Sequence, residues 1–464
     1  MVLNLTQLNK YSPMPIDPTS DTRNSTPKAS RVRYEMIFLA MLVAVLLYLD
    51  RICMSIAGQA VSADLSISQT ELDWLLGAFF WTYALGQLPA GWLGDRFGAR
   101  WMLSTYIVLW SLSTGLMGLA NGWTAVLILR LLCGLFEAGA YPVAASIVGR
   151  WMPIGSRGIA SSVVAVGGRL GGAIAPLLTI KLMLWWTLGD GFWSASVDAV
   201  AANTSWRPVM MLYGILGIVI AILFLWLFRD SPDQHPRVNQ AEYDLIRGEV
   251  VLNLSRSERT AIPFIAMLQS IPLWLNCFVQ FASNMGWAFL VTKMPQYLKD
   301  VHGSSQSAQG WLVSLPLLAG IVGLLLGGVF TDVMTRSLGL RWGRAIAMCT
   351  SRVIVALAFL ACSFVTDSMQ ATLCLAVVGF ATDLGIAACW SYAQDVGGKH
   401  VGSVLGWSNM WGNFGAALSP VILGGIVGCY VESTTGWTAA FAGCAILNML
   451  AALAAIGVSA KEPL

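Results

Sequence analysis

The sequence predicts an all-α membrane protein of twelve transmembrane helices in two six-helix bundles, on three observations. Of the 464 residues, 56% are hydrophobic and only 11% charged, where soluble domains carry about 25% charged residues. Apolar runs of the roughly 20 residues that cross a bilayer recur twelve times. The polar stretch 229–260 divides them six and six. A soluble enzyme of this length is excluded.

Taken in order, residues 1–35 are rich in Thr, Ser, Pro and Asn and lack the apolar stretch of a cleavable signal, which predicts a disordered cytoplasmic tail. The first bundle, 36–228, holds spans at 36–57, 73–94, 101–120, 123–149, 158–183 and 207–228. A cytoplasmic linker covers 229–270, and within it 236–249 has the pattern of an amphipathic helix lying under the bundle and linking the halves. The second bundle, 271–457, holds spans at 271–298, 308–331, 345–365, 369–393, 401–429 and 436–457, before a short cytoplasmic tail, 458–464. The net charge of +3 is scattered over short loops, so nucleic acid is not an expected partner. Nine cysteines lie in apolar runs with no CxxC pair and no neighbouring histidine, which predicts no metal site, no disulfide framework and no cofactor.

Orientation follows from the cytoplasmic bias of Lys and Arg. With both termini internal, nineteen Lys and Arg lie in internal segments and Lys299 alone in external loops. The longest external loop, about 184–205, opens on WWTLGDGFW, which suits an aromatic layer at the headgroups.

Ionisable side chains well inside the spans are few: Asp50, Arg51, Arg130, Glu137, Arg169, Arg352 and Asp383. Each costs roughly 2.5–3.5 kcal/mol in a membrane helix and must face a partner or a cavity. Arg130 and Glu137, two turns apart, share a face; Asp50 and Arg51, about 100° apart, face different neighbours. An arginine fork matches a carboxylate and stays charged, whereas a desolvated acid can exchange a proton. His235, His302 and His400 lie in or beside loops, which leaves carboxylates as the candidate proton carriers. The bland alternative is that these groups form buried ion pairs that fix helix packing.

The halves echo each other. GWLGDRFGAR (91–100) after the second span is answered by GGVFTDVMTRSLGLRWGR (327–344) after the eighth, the layout of carriers with a central site between parallel repeats. Gly91, Asp95, Arg96, Gly98 and Arg100 meet the Gly-x-x-x-Asp-Arg-x-Gly-x-Arg signature, and the chain resembles the major facilitator superfamily. YLDR (48–51), RLLCGLFEAGAYPV (130–143) and SNMWGNFGAALSP (408–420) are similar to its anion:cation symporter branch, which includes bacterial galactonate and hexuronate carriers, sialin and the vesicular glutamate transporters. The resemblance implies proton coupling through Asp50 and Glu137, and anion binding and charge balance through Arg51 and Arg130. It implies substrate contacts for Tyr48 and Tyr83, an inner (plasma) membrane of a bacterium, and no enzyme activity.

Gln87 lies one turn beyond Tyr83, and Asn409 and Asn413 are one turn apart on span eleven; they suit hydroxyl groups or bind neighbouring helices. Ser283 and Ser391 are weaker candidates of the same kind. Arg169 and Asp383 are charges that not all relatives have; either they serve a more acidic substrate, or Asp383 pairs with Lys293 or Arg169. Asp95, Arg96 and Arg100 are expected at the inner gate, with Asp332, Arg336, Asp395 and Arg150 as partners or repeat equivalents, the alternative for these four being solvated loop charges. The reading is a monomeric carrier for protons and a small organic anion, a sugar acid such as a hexonate or hexuronate, in a lipid bilayer. A sodium- or potential-driven carrier or exchanger is the alternative, and a membrane receptor or enzyme a more distant one.

Overall fold

A computed structural model describes residues 28–188, 205–247, 264–303 and 306–460. Most of the predicted tail, the centre of the long loop after span five, residues 248–263 of the linker and the end of the chain lie outside these.

The first half comprises α1 (Val32–Leu65), α2 (Gln69–Phe97), α3 (Ala99–Met117), α4 (Trp123–Glu137) continued by α5 (Ala140–Trp151), α6 (Arg157–Leu188) and α7 (Arg207–Leu227). The linker carries α8 (Gln240–Arg247) and α9 (Phe264–Gln269). The second half comprises α10 (Ile271–Thr292) continued by α11 (Met294–His302), α12 (Gln306–Cys362), α13 (Ser368–Leu384) continued by α14 (Ile386–Val396), α15 (Val401–Gly428) and α16 (Ser433–Ile456). Apolar side chains on the perimeter stay exposed, Ile222 at 63% and Leu453 at 61%, as lipid-facing positions do. Trp185 and Trp186, from the predicted aromatic layer, are exposed as well.

Three spans differ from a simple rod. Spans four and ten break at Ala138–Gly139 and at Gly385, and span seven breaks at Lys293, two residues before Pro295, where the ring excludes a regular helical hydrogen bond. The run α12 holds the eighth and ninth spans, which are separate helices as expected: the chain leaves helical geometry between them at Gly339 (φ 76°, ψ 172°), a left-handed-side φ that glycine adopts without strain. The first span, expected to end near 57, continues to Leu65 and stops at Ser66 in the left-handed region (φ 53°).

Three carboxylates cap helices that other segments begin. Glu242 of α8 accepts from the backbone N of Val32 and Arg33 at 3.2 and 3.1 Å and pairs with the Arg33 guanidinium at 2.9 Å. Asp332 of α12 accepts from Gly158 N and Ile159 N at 2.8 and 2.9 Å, at the start of α6. Asp95 of α2 accepts from Gly402 N and Ser403 N at 2.9 and 2.7 Å, at the start of α15. Each places negative charge where helix N–H groups and the helix dipole favour it. Of the two described linker helices, α8 is thereby tied to the first half.

Candidate substrate and gating site

The central polar group is assembled from α1, α2, α3 and α4. Arg51 of α1 donates from Nη2 and Nε to Glu137 Oε2 of α4, at 3.0 and 3.3 Å. Its guanidinium lies over three rings, 4.3 Å from the Tyr83 centroid and 5.0 Å from those of Tyr48 and Phe79. Such contacts stabilise a cation in low dielectric without consuming its N–H groups. Glu137 is fully buried, whereas the Arg51 side chain keeps 13% of its exposure. Arg130, one face of α4 with Glu137, lies 4.6 Å over Phe79 and donates from Nη2 to the Arg51 carbonyl at 3.3 Å; its Nε and Nη1 have no partner.

Asp50 points the other way. Its Oδ2 accepts from Trp110 Nε1 of α3 at 2.9 Å, its Oδ1 is unpartnered, and the residue is fully buried. The 100° step between Asp50 and Arg51 thus sends the acid into the helix bundle and the base toward the aromatic face.

A second pair lies across the two halves. Arg169 of α6 donates from Nη2 to Asp383 Oδ1 of α13 at 2.7 Å and sits 5.2 Å over the Trp287 ring of α10. Of the two partners open to Asp383, Arg169 is the one it meets; Lys293 is half-buried and donates to Gln296 at the surface instead. Tyr48 stands beside both pairs, since its ring also packs against Gly168, the neighbour of Arg169. Arg352 of α12 is 1% exposed and donates to Ser351 Oγ, to the Ala381 and Thr382 carbonyls and to Asn448 Oδ1.

The remaining polar candidates are placed less centrally. Gln87 is fully buried with both amide atoms unpartnered, and its backbone lies against Gly406 of α15. Asn413 donates to the Asn409 carbonyl of its own helix, and Asn409 is 9% exposed. Ser283 is buried, and Ser391 is buried with its hydroxyl unpartnered.

At the end where α2 meets α3 the halves are locked together. Besides the two backbone donors, Asp95 accepts from the Ser403 and Ser146 hydroxyls at 2.8 and 2.9 Å. A Cβ on Gly91 would stand 2.1 Å from the Gly402 carbonyl, so this position of the signature is a close backbone approach between halves. Gly98 has φ 90°, and a Cβ there would meet Asp230, whose Oδ1 accepts from Arg100 N at 2.9 Å. Arg100 also donates to the Leu225 carbonyl at 2.9 Å, which ties α3 to α7 within the first half. Arg96 is exposed and lies over Trp92 and Phe97 of its own segment. In the second repeat Arg336 donates to the Gly155 carbonyl at 2.7 Å. Asp395 accepts from Arg157 of the first half and Arg344 of the second, at 2.7 and 2.9 Å.

At the opposite end Arg207 pairs with Asp64 at 2.9 Å and donates to the carbonyls of Gly118 and Ala120. This basic residue at the mouth of the first half falls inside a predicted span, which is why the loop count missed it.

Trp110, Phe79, Trp287 and Arg157 were absent from the sequence candidates. Aromatic residues inside apolar spans give no local signal of what they face, and Arg157 reads as a loop charge. One signal was available: EAG at 137–139 and DLG at 383–385 place an acid, then glycine, at the helix break of spans four and ten.

The Major Facilitator Superfamily model matches residues 40–420 and, in a second alignment, 276–463. The chain belongs to the Major Facilitator Superfamily. It is therefore a multi-pass membrane transporter rather than an enzyme. It is 29% identical over 401 residues to a protein of Cupriavidus necator named a probable sulfoacetate transporter, covering 86% of this chain and 88% of that one. It is 30% identical over 456 residues to a protein of Bacillus subtilis named a probable galactarate/D-glucarate transporter, covering 94% and 93%. Among solved structures, the Escherichia coli fucose:proton symporter superposes with a TM-score of 0.66 at 14% identity, over 91% of this chain and 99% of that one, a likeness of fold.

Proposed function

We propose that this transporter carries a sugar acid together with protons across the inner membrane of a bacterium by alternating access, as a monomer with both termini in the cytoplasm. The observation that carries the reading is the Arg51–Glu137 pair: a partly accessible guanidinium, backed by three aromatic rings, is held by one fully buried carboxylate. A carboxylate substrate and Glu137 compete for the same N–H groups. Protonation of Glu137 releases Arg51, the fork takes the substrate carboxylate, and the Arg51 end of the loaded site keeps its net charge while it reorients. Loss of the proton on the other side restores the ion pair and expels the anion. The names of the relatives, a sulfonate and two sugar diacids, support an organic anion as cargo.

In this reading the Asp95 end is cytoplasmic, and its locks between α2 and α15 and between α6 and α12 hold the carrier open to the outside. Asp50, bonded to Trp110, is the second coupling acid. Tyr48 and Tyr83 present rings to the carbon face of the sugar acid, while Gln87, Asn409, Asn413, Ser283 and Ser391 become available to hydroxyl groups as the halves move.

Uptake into proteoliposomes with an imposed inward proton gradient and no sodium tests the proposal. Accumulation of a labelled sugar acid that collapses with a protonophore is the expected result. Uptake that needs sodium, or that follows membrane potential alone, overturns proton coupling.

A further inference from the structure

Buried arginines at mid-membrane differ in how completely they are used. Arg352 spreads its donors over carbonyl and hydroxyl oxygens and is 1% exposed. Arg169 is different. Its described hydrogen bond is the single one to Asp383, so its remaining N–H groups have no described acceptor, and its side chain keeps 17% of its exposure. Beside it, Trp287 Nε1 is buried with no partner.

Formal charge points the same way. Around the first pair, Arg51 and Arg130 balance Asp50 and Glu137, so a carboxylate is accommodated there only with a proton. Around the second, Arg169 and Arg352, the latter bonded to the carbonyls of Ala381 and Thr382, face the one acid Asp383. That cluster lacks one negative charge. The two pairs also occupy corresponding places, each acid lying in the last two residues of the helix before the break of span four or span ten.

We infer that Arg169, with Trp287 and Asp383, is a second anion subsite, and that the substrate is a dianion whose two acidic ends are held by Arg51 and Arg169. The inference rests on the sugar-acid reading above and narrows it from hexonates and hexuronates to hexarates and comparably short dianions. Arg169 belongs to the first half and Asp383 and Trp287 to the second, so the far end of the substrate lies where the halves meet. An anion on the free N–H groups of Arg169 leaves the Asp383 contact in place and neutralises the cluster without a proton.

The test is binding of galactarate and of galacturonate, a diacid and a monoacid of the same carbon skeleton, to the purified full-length protein by calorimetry. The wild type is expected to bind galactarate at least tenfold more tightly. Arg169→Gln, which removes a charge-assisted pair, is expected to weaken galactarate about tenfold or more while changing galacturonate less than about twofold. Arg169→Lys, which keeps the charge and loses the fork, is expected to fall between. Equal wild-type affinity for the two ligands, or equal weakening of both by the Arg169 variants, overturns the subsite. If Arg169→Gln does not fold, the comparison of the two ligands on wild type and on Arg169→Lys decides it. Failure of both ligands to bind the wild type overturns the sugar-acid reading itself, a distinct outcome.

Discussion

The locked end of this transporter and its middle are built from the same residues, arginines and carboxylates, and differ in how fully the carboxylates are used. At the locked end Asp95 receives four hydrogen bonds, two of them from helix N–H groups, and Asp395 holds two arginines. At mid-membrane Arg51 holds one carboxylate, Arg169 one, and Asp50 leaves an oxygen unpartnered. Saturated charges cost little to keep buried and define a state. Unsaturated ones are expensive without a ligand, and in the reading proposed above the difference separates gate from binding site.

The largest effect expected from breaking this contrast is at Arg51. Arg51→Ala leaves Glu137 buried without its cation and removes the anion's fork, so substrate counterflow in proteoliposomes is expected to fall at least a hundredfold. Retained counterflow would remove Arg51 from the site. Glu137→Gln breaks the other partner: exchange of labelled for unlabelled substrate is expected to continue, whereas accumulation driven by a proton gradient disappears. Persistent accumulation would assign coupling elsewhere.

Smaller changes sharpen the comparison at the locked end. Asp95→Asn weakens the charge-assisted cap on α15, at a cost of about 1–3 kcal/mol to the closed gate. A cysteine introduced at Ser161, buried there against Gln394, is expected to label several-fold faster in Asp95→Asn than in an otherwise unaltered background. Unchanged labelling would mean that the lock does not depend on this charge. Trp110→Phe deprives Asp50 of its one described donor and is expected to lower thermal stability without altering the affinity for substrate. The smallest effect is at Tyr83: Tyr83→Phe keeps the ring over Arg51, so substrate affinity is expected to change less than about threefold, while Tyr83→Ala exceeds that.

Much of the fold was legible because lipid imposes a crude rule on composition: apolar runs of fixed length must be helices. The seven charges Asp50, Arg51, Arg130, Glu137, Arg169, Arg352 and Asp383 stand out for the same reason, and the structure brings them together in two clusters. Their partners were not legible. That Asp50 meets Trp110, or that Arg169 chooses Asp383 over Lys293, depends on how helices pack across long sequence separations. Arg96 and Arg100 show the converse. Both belong to a sequence signature, yet one lies exposed over neighbouring rings and the other braces α3 against α7, because a motif records several structural demands at once. The glycines of that motif were equally silent until Gly402 and Asp230 were seen beside them.

Proton uptake on substrate binding tests the exchange of partners at Arg51 most directly. In weakly buffered solution, saturating the purified wild type with galactarate is expected to draw protons from the medium, and Glu137→Gln is expected to bind the same ligand while taking up one proton fewer. Equal proton uptake by the two proteins at equal occupancy, or none by the wild type, would contradict the account.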